Sequence, residues 1–222
     1  MYRIRNVPKT SGGPETTGAT IHWAHRYDVY TSLFGFGVNS RNSRMVVELA
    51  LVEAGDKVLD VGCGTGNLTL TAQKYVGTSG SVYGLDAAPE MIDEARKKAM
   101  HLGLGTIFDI GLIENIPHPD ASFDIVINRL LIHHLPDDLK RQGFAEIFRV
   151  LKPGGRLFLA DFNPPTNNFL AHLALALVGH GMMQTSVQGY PDMLAEAGFV
   201  EVTSGKTRSI FLAFVSGQKP AA

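Results

Sequence analysis

Cysteine is almost missing from the 222-residue chain: Cys63 is the only one, so no internal disulfide can form and cysteine-based metal sites are excluded. A reducing, cytoplasmic setting fits that usage. An excess of either charge is also lacking. Lys plus Arg total 20 against 21 for Asp plus Glu, a formal charge of -1, without the basic footprint that nucleic-acid binding needs. Long apolar runs are absent as well. The strongest, Phe169 to Val178, is ten residues interrupted by His172, against the roughly 20 that span a bilayer. The charged N-terminus leads into Pro8, Gly12, Gly13 and Pro14 with no apolar stretch, so no signal peptide is expected and residues 1–18 read as a flexible tail. The length excludes a cofactor domain joined to a full substrate domain, leaving one domain over about 19–217.

What is present is a rhythm. Short β-branched runs at Lys57–Val61, Ser81–Leu85, Thr106–Ile110, Phe123–Ile127 and Arg156–Ala160 read as buried strands. Helix patterns lie between them at Leu68–Tyr75, Pro89–His101 and Asp138–Val150, the last stopped by a Lys152-Pro153-Gly154-Gly155 turn. Alternation of this kind predicts an α/β fold, a Rossmann-like doubly wound parallel sheet with right-handed crossovers. Helical stretches at Thr20–Leu33 and Ser43–Glu53 precede it as a cap over about 20–54. After the fifth strand come the apolar segment, a helix near Pro191–Ala197, and strands Val200–Thr203 and Ser209–Val215, expected to form an antiparallel edge hairpin.

The segment richest in chemistry is Asp60-Val61-Gly62-Cys63-Gly64-Thr65-Gly66-Asn67, a strand entering a GxGxG loop and then a helix. Glycines let the backbone turn sharply and approach a ligand, and the helix start offers unpaired N–H groups. The dinucleotide pattern would place glycine at position 67, where Asn67 stands, which demotes nicotinamide binding. Asp86 ends the second strand twenty residues beyond Gly66, where a carboxylate can accept both hydroxyls of an adenosine ribose.

Five features in order, namely Asp60 with its loop, Asp86, Pro117–Asp124, Asn128–Asp137 and Leu151–Gly155, resemble the class I S-adenosylmethionine-dependent methyltransferases. The resemblance covers about residues 20–216 and implies a seven-stranded sheet whose last strand is antiparallel. It also implies S-adenosylmethionine as cofactor. Gly62, Gly64 and Gly66, with Cys63 among them, would line its methionine portion, Asp86 its ribose, and Ala87 with Met91 its adenine edge. Asp60 would anchor the loop or the cofactor's amino group, and Asn128 would also bind the cofactor. One departure stands out. Where the family often has Gly-Asp-Ala, this chain has Gly111-Leu112-Ile113, so an adenine-accepting Asp is replaced by Leu112 and adenine would rest on apolar packing and the Ile113 backbone, unless Glu114 or a water substitutes.

Within that family, Tyr27-Asp28 followed by Leu33, Gly35 and Gly37 is similar to the N-terminal segment of the ubiquinone/menaquinone biosynthesis C-methyltransferases, making Tyr27 a candidate lid residue. Asp161-Phe162-Asn163-Pro164 resembles that group's Glu-Phe-Ser-x-Pro. The group's Gly-Leu-Arg-Asn aligns with Leu131-Ile132-His133-His134, which removes a guanidinium and installs two imidazoles. A His near the acceptor suits general-base work near neutral pH, whereas a structural histidine would tie down its loop. Both roles stay open, with His133 expected to face the acceptor and His134 to hold the loop. The Phe169–Met183 run lies where the family places a lid insertion, about 164–190. It could be ordinary core, an apolar acceptor pocket, or a homodimer or membrane-surface contact.

The expected activity is transfer of a methyl group from S-adenosylmethionine to a small apolar, isoprenoid or aromatic acceptor, with no metal, no nucleic acid and no transmembrane segment. The alternatives are an S-adenosylmethionine-binding protein without methyl transfer and an NAD-type Rossmann oxidoreductase.

Overall fold

The computed structural model describes residues 13, 14, 16, 40–163, 187–209 and 211–221. Seven strands form one sheet in the order β3-β2-β1-β4-β5-β7-β6. They are β1 Lys57–Val61, β2 Ser81–Asp86, β3 Ile107–Ile110, β4 Phe123–Arg129, β5 Leu151–Phe162, β6 Val200–Lys206 and β7 Leu212–Gln218. Pairing is parallel from β3 through β5, and β7 runs antiparallel to both β5 and β6. The helices are α1 Ser40–Leu49, α2 Asn67–Val76, α3 Pro89–Leu102, α4 Asp137–Val150 and α5 Tyr190–Glu196. Among the described residues, no helix is long and apolar enough to cross a membrane.

The period-two alternation of strand side chains divides the core into two layers. Leu59, Val61 and Val126 face a cluster with Phe144 and Ile147 of α4 and Leu194 of α5. Val58, Ile125 and Ile127 face Val46 and Val47 of α1 and Leu68, Ala72 and Val76 of α2. Because both faces are covered, the central strands read as continuous apolar runs.

Several boundaries differ from the sequence reading for identifiable reasons. Helix α1 stops at Leu49 rather than Glu53, and Leu51 takes a positive φ of 53° just beyond it. The Lys152–Gly155 turn is absorbed into β5. Leu151 already pairs with Phe123, a register shift follows, and Gly154 N–H donates to the carbonyls of Lys219 and Pro220. The last strand begins at Leu212 rather than Ser209. At the end of α4, the Lys219 ammonium donates to the carbonyls of Phe148 and Leu151, each at 2.7 Å, and so satisfies acceptors that a helix C-terminus leaves open. The predicted helix at 20–33 and most of the 164–190 insertion lie outside the described residues, as does Tyr27.

Candidate active site

A cleft of about 750 Å³, open solvent at its mouth included, crosses the carboxyl ends of β1, β2 and β4. That is where an open α/β sheet binds ligands, beside the point at which its strand order reverses. Its walls come from Val61, Gly62 and Gly64 of the first loop, Leu85 to Ala87, Met91, Gly111 to Glu114, Arg129 to Leu131, and His134 with Leu135. Thr16, which the sequence reading assigned to a loose tail, lines it too, and its hydroxyl donates to Glu114 Oε1 at 2.7 Å.

The glycine loop is set by backbone bonds. The amides of Gly62 and Cys63 both donate to the Leu85 carbonyl, at 2.7 and 3.0 Å, drawing the loop toward the end of β2. Gly62 has φ +71°, and an added Cβ would stand 2.7 Å from Leu131 Cδ2, so neither its conformation nor its neighbour leaves room for a side chain. Gly64 also has a positive φ, but its added Cβ would meet nothing within 4 Å. Gly62 is required by packing, and Gly64 borders open space that a ligand can fill. Asp86 closes the ring: Oδ2 accepts the Gly64 amide at 2.8 Å and Oδ1 the Ala88 amide at 2.9 Å. Those bonds orient the carboxylate at the cleft wall, and a carboxylate with about four lone-pair positions can accept further bonds.

Three residues from the sequence reading serve the scaffold. Gly66 caps α2 where a Cβ would press on Ala95 and Phe108. The Cys63 side chain is buried with Leu70, Ile92 and Phe108; burial, with Asp86 and Asp60 nearby, raises its thiol pKa and keeps it protonated. Asn128 is fully buried, its Nδ2 donating to the Val61 carbonyl at 2.5 Å, and it ties β4 to β1 behind the cleft.

Asp60 is buried at the end of β1, and Thr69 of α2 donates to its Oδ2 at 2.6 Å, which anchors the loop. Its Oδ1 has no partner among the described residues. Burial pushes its pKa up to about 7, opposed by the Thr69 bond and the charge of Arg129. Leu112 and Ile113 line the far wall, with Leu112 in a tight turn whose carbonyl accepts the Asn115 amide.

The two histidines point in the opposite sense to the one expected. His134 lines the cleft. His133 is turned into the protein, where Asp161 at the end of β5 captures its backbone N–H at 2.9 Å and its Nδ1 at 2.6 Å. The Tyr190 hydroxyl also donates to Asp161, at 3.2 Å, and burial together with that carboxylate raises its pKa. The two imidazoles lie 3.8 Å apart between centroids. Burial, reinforced by His133, presses the His134 pKa down to about 4, so it is neutral at neutral pH.

Sequence reasoning missed Arg129 and the central position of Asp161. Arg129 was detectable as a cation closing a strand with an Ile-Val-Ile centre; nothing in the spacing joins Asp161 to a histidine 28 residues earlier.

These walls fit S-adenosylmethionine: an oriented carboxylate for ribose, an apolar sleeve of Leu85, Met91, Leu112 and Ile113 for adenine, and open space beside Gly64. A methyltransferase-domain family matches residues 58–155. The chain is 29% identical, over a 243-residue alignment covering 99% of it and 94% of the relative, to the ubiquinone/menaquinone biosynthesis C-methyltransferase UbiE of Pseudomonas aeruginosa (strain LESB58). Its fold is similar to that of an S-adenosylmethionine-dependent methyltransferase from Aquifex aeolicus, with a TM-score of 0.67 and 24% identity over 88% of this chain and 96% of that one. It is also similar to a phospholethanolamine N-methyltransferase 2 of Haemonchus contortus solved with S-adenosylhomocysteine, with a TM-score of 0.65 and 15% identity over 81% of this chain and 52% of that one. Sheet order, cleft and likenesses converge on S-adenosylmethionine-dependent methyl transfer, with S-adenosylmethionine as the cofactor.

Proposed function

We propose that the acceptor is a small apolar or aromatic molecule whose nucleophilic atom attacks the methyl carbon in line, the S–CH3 bond breaking to release S-adenosylhomocysteine and the acceptor's proton passing to solvent. Bound S-adenosylmethionine supplies that carbon already activated by a positively charged sulfur. The observation that carries the acceptor class is the wall beyond Gly62, where Leu131 and Leu135 stand beside an uncharged His134. A charged acceptor would lose hydration against those side chains. The relative's name supports the same class, since the reduced form of a quinone, a hydroquinone, is aromatic. An imidazole held near 4 is a weak base at neutral pH, so His134 acts as a hydrogen-bonding wall, and holding the acceptor in line supplies most of the acceleration. His133, locked by Asp161, positions the turn that carries His134. Asp86 holds the ribose, Ala87, Met91, Leu112 and Ile113 the adenine, and Gly62 and Gly64 the methionine chain. A cytoplasmic setting belongs to the same reading, supported by the single buried thiol.

The test is incubation with methyl-labelled S-adenosylmethionine and three acceptors, a prenylated hydroquinone, a simple phenol and a polar amine, followed by mass spectrometry. Label is expected in the hydroquinone or phenol. Label confined to the amine would overturn the acceptor class.

A further inference from the structure

The cleft carries its charges unevenly. Asp86 and Glu114 line one end; Arg129 stands at the other, the one cation among its described lining residues. Arg129 is the last residue of β4, two beyond Ile127, which is the register partner of Asp60. It therefore sits beside the point where the glycine loop leaves β1. Its Nη1 donates at 3.1 Å to the hydroxyl of Ser43, a fully buried residue of α1. Immediately after it, Leu130 is held at φ +62°, a left-handed conformation that a leucine seldom adopts, with its amide donating to the Ala160 carbonyl at 3.0 Å. Strained backbone of this kind persists where the surroundings require a particular side-chain placement, and here it separates two lining residues, Arg129 and Leu131. Close by, the buried Oδ1 of Asp60 has no partner among the described residues.

A ligand whose ribose lies on Asp86 extends its other end toward this corner. In S-adenosylmethionine that end is an amino acid, with a carboxylate and an ammonium on one carbon. A guanidinium matches a carboxylate in shape as well as charge, because its planar N–H groups bind both oxygens. We propose that Arg129 is the residue that binds the cofactor's α-carboxylate, held in position by Ser43, while the ammonium lies toward Asp60. The proposal rests on the assignment of S-adenosylmethionine to this cleft. It makes α1 part of cofactor recognition: through Ser43, that helix sets the direction in which the guanidinium points.

A purely structural reading would make Arg129 a strut between β4 and α1. The two readings separate on a ligand lacking the carboxylate. Calorimetric dissociation constants would be measured for S-adenosylhomocysteine and its decarboxylated analogue, S-adenosyl-3-thiopropylamine, on the wild-type chain and on Arg129→Met, Arg129→Lys and Ser43→Ala. The wild type should prefer S-adenosylhomocysteine by ~10- to 100-fold, the range of a charge-assisted hydrogen-bonded pair. Arg129→Met should abolish that preference by weakening S-adenosylhomocysteine alone. Ser43→Ala, which leaves the charge in place, should weaken it only a few-fold, and Arg129→Lys should retain part of the preference. Equal weakening of both ligands by Arg129→Met, or a wild type without preference, overturns the proposal. Should Arg129→Met fail to fold, the Arg129→Lys and wild-type ratios decide it: a folded lysine variant with a smaller preference than the wild type supports the carboxylate contact, because a strut would leave the ratio unchanged, and an unchanged ratio overturns it. Failure of the wild type to bind either ligand would instead remove the cofactor assignment.

Discussion

The two ends of the cleft are built by different means. At the Asp86 end the geometry is made by backbone: the amides of Gly62 and Cys63 share the Leu85 carbonyl, and the Gly64 amide meets Asp86. All partners lie within about twenty-five residues of one another. At the His134 end it is made by side chains from three separate elements, with Asp161 of β5 joining His133 and Tyr190 across 28 and 29 residues. Backbone geometry tolerates many side chains and suits a cofactor shared by many enzymes. A convergent side-chain cluster can be changed one residue at a time, and it is the part free to adapt to a particular acceptor.

If this contrast is right, damage at the two ends should register differently. The largest effect is expected from Asp161→Ala, which leaves the buried N–H groups of His133 and Phe162 and the Tyr190 hydroxyl without their acceptor. A loss of about 3–5 kcal/mol in urea unfolding is expected. A loss below about 1 kcal/mol would show that the cluster does not hold the His134 end together.

The next effect lies in the pH dependence of the cofactor-free protein. Folded Asp60 keeps its proton to about pH 7, whereas an ordinary Asp releases it near 3.8, so the folded state binds more protons in between and stability falls as pH rises through that window. His134 works in the other direction. It loses its proton near 4 when folded and near 6.5 when unfolded, so stability rises between those values. Each contribution is on the order of 3 kcal/mol, and they largely offset one another from about pH 4 to 6.5. Asp60→Asn should therefore steepen the rise of stability with pH, and His134→Gln should expose the fall. Denaturation midpoints followed from pH 4 to 7.5 test this, and similar slopes in both variants would contradict it.

At the other end, Asp86→Ala should weaken S-adenosylhomocysteine by about 2 kcal/mol, roughly 30-fold, while costing less stability than the Asp161 change. Calorimetry and unfolding on one preparation would compare the two, and unchanged affinity would move the ribose site. The smallest effect is assigned to Thr16→Ala, which removes one hydrogen bond to Glu114 and should cost about 1 kcal/mol in cofactor affinity. No change would leave Thr16 a bystander at the cleft wall.

The same contrast explains what was legible in the sequence. β1 was read with its observed bounds, and the loop after it from glycine spacing alone, because a left-handed turn beside a ligand has few chemical solutions. Spacing could not tell which loop residues face the ligand. Gly66 and Cys63 pack inward, and Asn128 holds two strands together, because their neighbours Phe108, Ile92 and Val61 come from elsewhere in the chain or from the strand behind. At the other end, His133 and His134 were visible as a pair but not in orientation, since Asp161 decides which one turns inward. The extension of β5 through Pro153 and Gly154 was hidden for a similar reason: residues that form a turn in isolation are held in a strand by Lys219 and Gln218 of the distant C-terminal segment.

Lys219 has one more effect, on the order of assembly. The helix whose end it closes is complete at Val150, about 70 residues earlier in synthesis. At roughly 5–20 residues per second, several seconds pass on the ribosome before that lysine is made. During that interval the Phe148 and Leu151 carbonyls lack this donor, whereas those of Arg149 and Val150 accept from the amides of Ala121 and Ser122, made earlier, and Phe148 lacks the cation that later covers its ring. A nascent chain stopped short of residue 219 should hold this helix with a frayed end, and addition of the final strand and its lysine would complete both the sheet and the helix in one step.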